Sequence, residues 1–91
     1  MSRSIEHNAG KQRYEWTEDG TLSVLDYELQ NEVMTITHTG VPEAVGGRGI
    51  AADLTKFALA SARENGWLVR PQCSYAAAYM KRHPEYADLL A

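Results

Sequence analysis

One cysteine, Cys73, stands among the 91 residues, so no disulfide can close within the chain. That scarcity fits a reducing compartment, and a cytoplasmic protein is the expectation. Basic residues are also in deficit: nine Lys and Arg against twelve Asp and Glu leave a formal charge of −3. A general electrostatic grip on nucleic acid needs clustered Lys and Arg, so no nucleic-acid partner is expected. No apolar run approaches the ~20 residues of a membrane span, and Met1 to Gly10 is polar, without the apolar centre of a signal peptide. No membrane partner is expected either. The three histidines and the lone cysteine lack the spacing of a metal site. A chain this short makes one domain, 1–91, with about 1–10 as a flexible N-terminus; it should bury roughly 60 to 65% of the surface its unfolded form exposes.

What is present begins with alternation. Between Lys11 and Trp16, Tyr14 and Trp16 share one side and Arg13 and Glu15 the other, as in a half-buried strand. Glu18-Asp19-Gly20 reads as a turn. From Thr21 to Leu29, Leu22 and Val24 fall on one parity and Leu25, Tyr27 and Leu29 on the other, which suggests a strand covered on both faces for part of its length. A Gln30-Asn31 turn follows, and β-branched residues from Val33 to His38 make a third strand of an antiparallel meander. Pro42 ends or bulges what comes next. Ile50, Leu54, Phe57, Ala58 and Ser61 then recur at helical spacing within a stretch ending near Asn65, and Gly66 stands where a helix C-terminal glycine belongs. Trp67 to Val69 suggests a short strand, parallel to the third because a helix connects them by a right-handed crossover. A second helix starts near Cys73 or Ser74 and runs to about Arg82; His83-Pro84 interrupts it, and Glu85 to Leu90 adds a helical turn or two. The whole is α+β with α/β-type layering.

Residues Gly46 to Ala51 read Gly-Gly-Arg-Gly-Ile-Ala and open directly onto the first helix. First-turn N–H groups lack intrahelical partners, and the helix dipole adds partial positive charge there, so phosphate oxygens fit. Glycines let a ligand approach the backbone and supply positive φ. Other phosphate loops fail on this sequence: no Gly-Lys-Ser/Thr is present, and no acidic residue ends a strand about twenty positions on, as a dinucleotide site needs.

Val41 followed by that loop and a helix resembles the acetyl-CoA signature of the GNAT N-acetyltransferases. More narrowly, His38-Thr39, Val41-Pro42-Glu43, Pro71-x-Cys73-Ser74-Tyr75, Tyr79 and Arg82-His83-Pro84-Glu85-Tyr86 resemble the small single-domain GNAT-like proteins, from about Tyr14 to Leu90. The resemblance implies a compact fold in which the strand before the loop diverges from its parallel neighbour. It also implies acetyl-CoA as donor and transfer of acetyl to a primary amine of an unknown acceptor. The alternative is a non-catalytic CoA-binding or protein-interaction module. The cofactor would meet Val41, Gly46, Gly47, Arg48, Gly49, Ile50 and Ala51. Val41 would hold the pantetheine arm through its backbone, and a nearby N–H would polarise the thioester carbonyl. Gly46 departs from the Arg or Gln that usually opens the signature, which shifts the expected contacts to backbone N–H groups. Arg48 is either a compensating cation or a solvated loop residue.

Three side chains are catalytic candidates. Cys73 opens a helix, where a thiol pKa is lowered; it would act as nucleophile, lie beside the acetyl group, or be a small core residue. Tyr79 matches the tyrosine that protonates the departing thiolate in many GNAT enzymes, but Tyr75 and Tyr79 at i, i+4 could equally pack as a pair. His38 shares strand parity with Met34 and Ile36, so it is either a structural histidine on an apolar face or a base poised before the acetyl site. Larger GNAT domains carry further N-terminal helices as an acceptor wall. An open acceptor side here favours a macromolecular substrate or a partner subunit, and a homodimer could complete the wall.

Overall fold

The computed structural model describes residues 3–91. Five strands, β1 (Glu6–Asn8), β2 (Arg13–Glu18), β3 (Thr21–Gln30), β4 (Val33–Gly40) and β5 (Leu68–Pro71), form one sheet in chain order. The first four are antiparallel and β5 runs parallel to β4. The β2–β3 and β3–β4 turns use left-handed φ at paired positions, 51° and 73° at Asp19 and Gly20 and 52° and 63° at Asn31 and Glu32. Such turns twist with the strands they join. Helix α1 (Ile50–Asn65) crosses from β4 to β5, and α2 (Ser74–Arg82) follows β5 before a 3-10 segment, Pro84–Leu89. Gly66 ends α1 at φ 74°, its N–H returning to the Ala62 and Arg63 carbonyls, as the glycine rule requires. This is the α+β architecture expected.

Both helices cover the same sheet face. Tyr14, Leu25, Met34 and Ile36 from the sheet and Ile50, Leu54, Leu59 and Ala76 from the helices join one buried cluster. The other face is bare: Leu22 and Leu68 are 45% and 43% exposed. The expectation that β3 is covered on both sides is therefore wrong. Its inner residues Ser23, Leu25 and Tyr27 are buried, and the opposite parity faces solvent or is half-buried. The α1 stripe is also rotated from the expected one: Thr55, Leu59 and Ala62 are buried and Phe57 is exposed.

Two further differences matter for function. Residues 1–10 were expected as a flexible N-terminus; residues 1 and 2 lie outside the described part, but Glu6–Asn8 pairs with Arg13–Glu15 as β1. Here His7 stacks on Tyr14 at 4.3 Å and its Nε2 meets the Tyr27 hydroxyl at 2.6 Å. In β4, Asp26 pairs with His38 while Tyr27 pairs with Ile36, so Thr37 is an extra residue, a bulge. One inserted residue reverses the facing of everything after it. His38 thus leaves the Met34 and Ile36 face and is exposed on the bare side, and Thr39 takes the inner position opposite Leu25.

Candidate functional site

Strand β4 outlasts its parallel partner. The last β4–β5 pair is Ile36 with Pro71, after which the Ile36 carbonyl accepts from the N–H groups of Gln72 and Cys73 at 3.1 and 2.9 Å. From His38 to Gly40, β4 stays paired with β3 on one side but, among the described residues, has no strand on the other. The two strands part there, leaving free backbone groups along one edge of β4. Val41 follows this edge, half-buried against the core.

Cys73 stands at the mouth of the parting, immediately before α2. Its Sγ lies 3.6 Å from the Thr39 hydroxyl, a contact that exists because the Thr37 bulge turned Thr39 inward. Partial burial pushes the thiol up. That effect is outweighed by hydrogen bonds to the sulfur from the Ala76 N–H, the Thr39 hydroxyl and the Tyr75 and Thr39 N–H groups, so the net shift is below the ordinary value. The helix field at the start of α2 favours the thiolate in the same sense.

The glycine loop lies at the end of β4. After a 3-10 turn at Glu43–Val45, Gly47 and Gly49 adopt φ of 75° and 80°, and an added Cβ at either would meet nothing within 4 Å. Left-handed backbone, and not crowding, requires glycine at these two positions. The Asp53 N–H closes on the Gly49 carbonyl at 3.1 Å, so the N–H groups of Ile50, Ala51 and Ala52 are the unpaired donors of the first turn. Gly46 is a correction. Its N–H is spent on the Glu43 carbonyl at 3.0 Å, and a Cβ there would approach that oxygen to 3.3 Å, so this glycine tightens the preceding turn and offers no donor.

Arg48 is exposed, as a solvated loop residue would be, but its guanidinium is engaged by carboxylates of the β2–β3 turn. Its Nη1 donates to Glu18 and Asp19 at 2.7 Å each, pinning the loop to the β2–β3 turn. Arg3 reinforces the same junction, with Nε to Glu18 at 3.3 Å, Nη1 to Asp53 and Nη2 to the Arg48 carbonyl at 2.7 Å. Arg48 above all, then the Trp16 indole and Arg3, hold the Glu18 carboxyl down at about 2. Nothing in the local sequence announced these partners, because the arginine contacts span 15 to 50 positions.

Tyr79 sits in an aromatic row on α2 and beyond it. It stacks on Tyr75 at 6.4 Å and on His83 at 4.2 Å, and tilts toward Tyr86 at 6.2 Å. The i, i+4 pair therefore forms. Burial raises the Tyr79 phenol above its ordinary value, with neighbouring tyrosines, Glu85 and Asp53 adding to the effect. Burial likewise raises Tyr75, with Asp53 a small addition. Cys73 and Thr39 are thus in contact, and Tyr79 lies in the aromatic row with Tyr75, His83 and Tyr86. His38 is separated from them by the thickness of the sheet. Sequence reasoning gave Thr39, Arg3 and Asp53 no role of their own; the bulge and the tertiary ion pairs bring them beside the candidate site residues.

A family model described as GCN5-related N-acetyl-transferase matches residues 13–89. Protein NATD1 from Mus musculus is 32% identical over 83 residues, covering 88% of this chain and 76% of that protein. The Homo sapiens NATD1 is 32% identical over 83 residues, with 88% and 74% covered. Among solved structures, the NMR solution structure of a GCN5-like protein from Staphylococcus aureus superposes with a TM-score of 0.77 at 28% identity, covering 100% of this chain and 91% of that one.

Proposed function

This chain belongs to the GCN5-related N-acetyltransferase family, and on that premise we propose that it transfers acetyl from acetyl-CoA to a primary amine. The observation that carries this reading is the parting of β4 from β5 beyond Ile36 and Pro71, with the glycine loop at one end and Cys73 at its mouth. The residues fit the donor. Gly47 and Gly49 leave open space above a row of first-turn N–H groups suited to a pyrophosphate. The free edge of β4 from Thr39 to Val41 offers backbone groups for an amide-bearing arm. When bound, acetyl-CoA supplies an activated acyl carbon with a thiolate leaving group.

The chain's own groups then divide the work. A backbone N–H on the free edge of β4 near Val41 would stabilise charge on a carbonyl oxygen. Tyr79, kept protonated by burial, is a proton donor at neutral pH. His38 stands on the bare side of β4, where an ammonium arriving over the uncovered sheet face would meet it and lose its proton. Cys73 is placed beside the acetyl group, as nucleophile or neighbour. The uncovered face leaves room for a macromolecular acceptor.

A second reading is favoured by one observation. Because Arg48 is already held by Glu18 and Asp19, the loop itself offers phosphates backbone groups alone, which suits a CoA-binding or protein-interaction module without efficient turnover. The test is release of free CoA thiol from acetyl-CoA in the presence of amines, from small polyamines to lysine-bearing peptides. Amine-dependent release supports the transferase. CoA binding with no release from any amine favours the module.

A further inference from the structure

The first turn of α1 carries Asp53, an awkward charge for a site meant to hold phosphates. Its carboxylate is engaged by Nη1 of Arg3, and the other arm of the same guanidinium donates to the Arg48 carbonyl within the loop, 45 positions away in sequence. A planar fork cannot span a long gap, so the carboxylate and the loop carbonyl lie side by side. Nε of Arg3 completes the clamp on Glu18, which in turn accepts from Arg48 and from the Trp16 indole. The side chains of Arg3 and Glu18 are only 19% and 22% exposed, so the junction is partly sheltered from solvent. Three carboxylates, Glu18, Asp19 and Asp53, meet two guanidiniums, Arg3 and Arg48, a local balance of −1. Without Arg3 the balance would be −2, and Asp53 would lose the guanidinium that engages it.

We propose that Arg3 is a positioning residue for the anion site: it holds the Arg48 carbonyl in place and neutralises Asp53, so that the α1 N-terminus can accept a phosphate group. This deepens the acetyl-CoA reading and rests on it. It also gives the N-terminal segment a role in the site, although no catalytic group comes from that segment. Arg3 and Asp53 line a cleft of about 220 Å³ together with Ile5, Lys56, Phe57 and Ala60.

The experiment is titration of CoA into the full chain by calorimetry at low ionic strength, comparing the unsubstituted protein, Arg3→Ala, Asp53→Asn and the double variant. Arg3→Ala is expected to weaken CoA about five- to tenfold, an effect that shrinks as added salt screens the charges. Asp53→Asn should bind CoA as well as or better than the unsubstituted chain, and in the Arg3→Ala background it should restore most of the loss. A purely structural role for Arg3 would give no such rescue. Unchanged affinity in Arg3→Ala, weakened affinity in Asp53→Asn, or a double variant as weak as Arg3→Ala would each overturn the proposal. If the unsubstituted chain binds no CoA, the acetyl-CoA reading fails, and amide exchange at residues 48–52 then decides the clamp alone. Faster exchange in Arg3→Ala upholds it and unchanged exchange refutes it.

Discussion

Replacing Gly49 by Ala separates the loop's energetic cost from its function. Gly49 is the N-terminal cap of α1 at φ 80° and ψ 15°, and no heavy atom lies within 4 Å of an added Cβ. The substitution therefore meets no clash; what it meets is the penalty of left-handed backbone for an L-residue, about 1 kcal/mol. In a domain of this size that lowers Tm by roughly 4 to 8 °C. Gly66, at φ 74° and equally open, is the matched control at the far end of α1. The helix has 16 residues, so the two caps are separated by about 24 Å. Gly66→Ala should cost the same stability. The two variants should diverge when acetyl-CoA is added. Relaxing Gly49 turns a first-turn N–H away from the phosphates, and loss of one charge-assisted hydrogen bond is worth at least about 1.4 kcal/mol, or tenfold in affinity. At a concentration near 100 times the parent Kd, ligand stabilisation of about 2.7 kcal/mol would fall to about 1.4 in Gly49→Ala and stay at 2.7 in Gly66→Ala. Thermal melts with and without acetyl-CoA read both quantities. Equal ligand shifts in the two variants would refute the assignment of the loop.

Other outcomes follow from the same geometry. Alkylation of Cys73 should show a midpoint below that of an ordinary thiol, and acetyl-CoA should slow it; an ordinary midpoint with no protection would return Cys73 to a packing role. His38→Gln should lower turnover and leave CoA affinity unchanged, and a parallel loss of both would contradict a base on the bare sheet face. Burial lowers the His7 imidazole, so the unfolded chain takes up its proton more readily than the folded one. Stability should therefore be full above the ordinary histidine value near 6.5 and fall as pH drops through it. His7→Gln should remove that part of the acid sensitivity, and melting curves at pH 7.5 and pH 5.5 whose difference is the same with and without His7 would argue otherwise. Leu54, fully buried on α1, should cost about 2 to 5 kcal/mol on truncation to Ala by chemical denaturation.

The meander, the α1 end at Gly66 and the start of α2 were legible because alternation, turn residues and a left-handed cap are local signals. The bulge at Thr37 was not legible. A period-2 pattern carries no mark of one extra residue, so His38 reads as inward although it faces out, and the contact of Thr39 with Cys73 is not foreseen. Strand β1 was hidden for a different reason. Glu6, His7 and Asn8 have no apolar alternation, and their pairing depends on stacking against Tyr14 and Tyr27. The α1 stripe was misjudged by about one residue because Phe57 outweighs Thr55 on any hydropathy scale, yet the Thr55 hydroxyl is satisfied by the Ala51 carbonyl at 2.8 Å and can be buried. At the loop, the local reading found the backbone cradle. It could not find the long-range carboxylates that take Arg48 out of it or the tight turn that consumes the Gly46 N–H.

Calorimetric titration of the full chain with acetyl-CoA bears most directly on the identity of the site. Saturable binding of one acetyl-CoA per chain, competed by CoA and lost in a Gly47→Ala, Gly49→Ala double variant that still melts cooperatively, is the expected result. No detectable heat or stabilisation at millimolar acetyl-CoA, from a chain that is folded by the same melt, would contradict it.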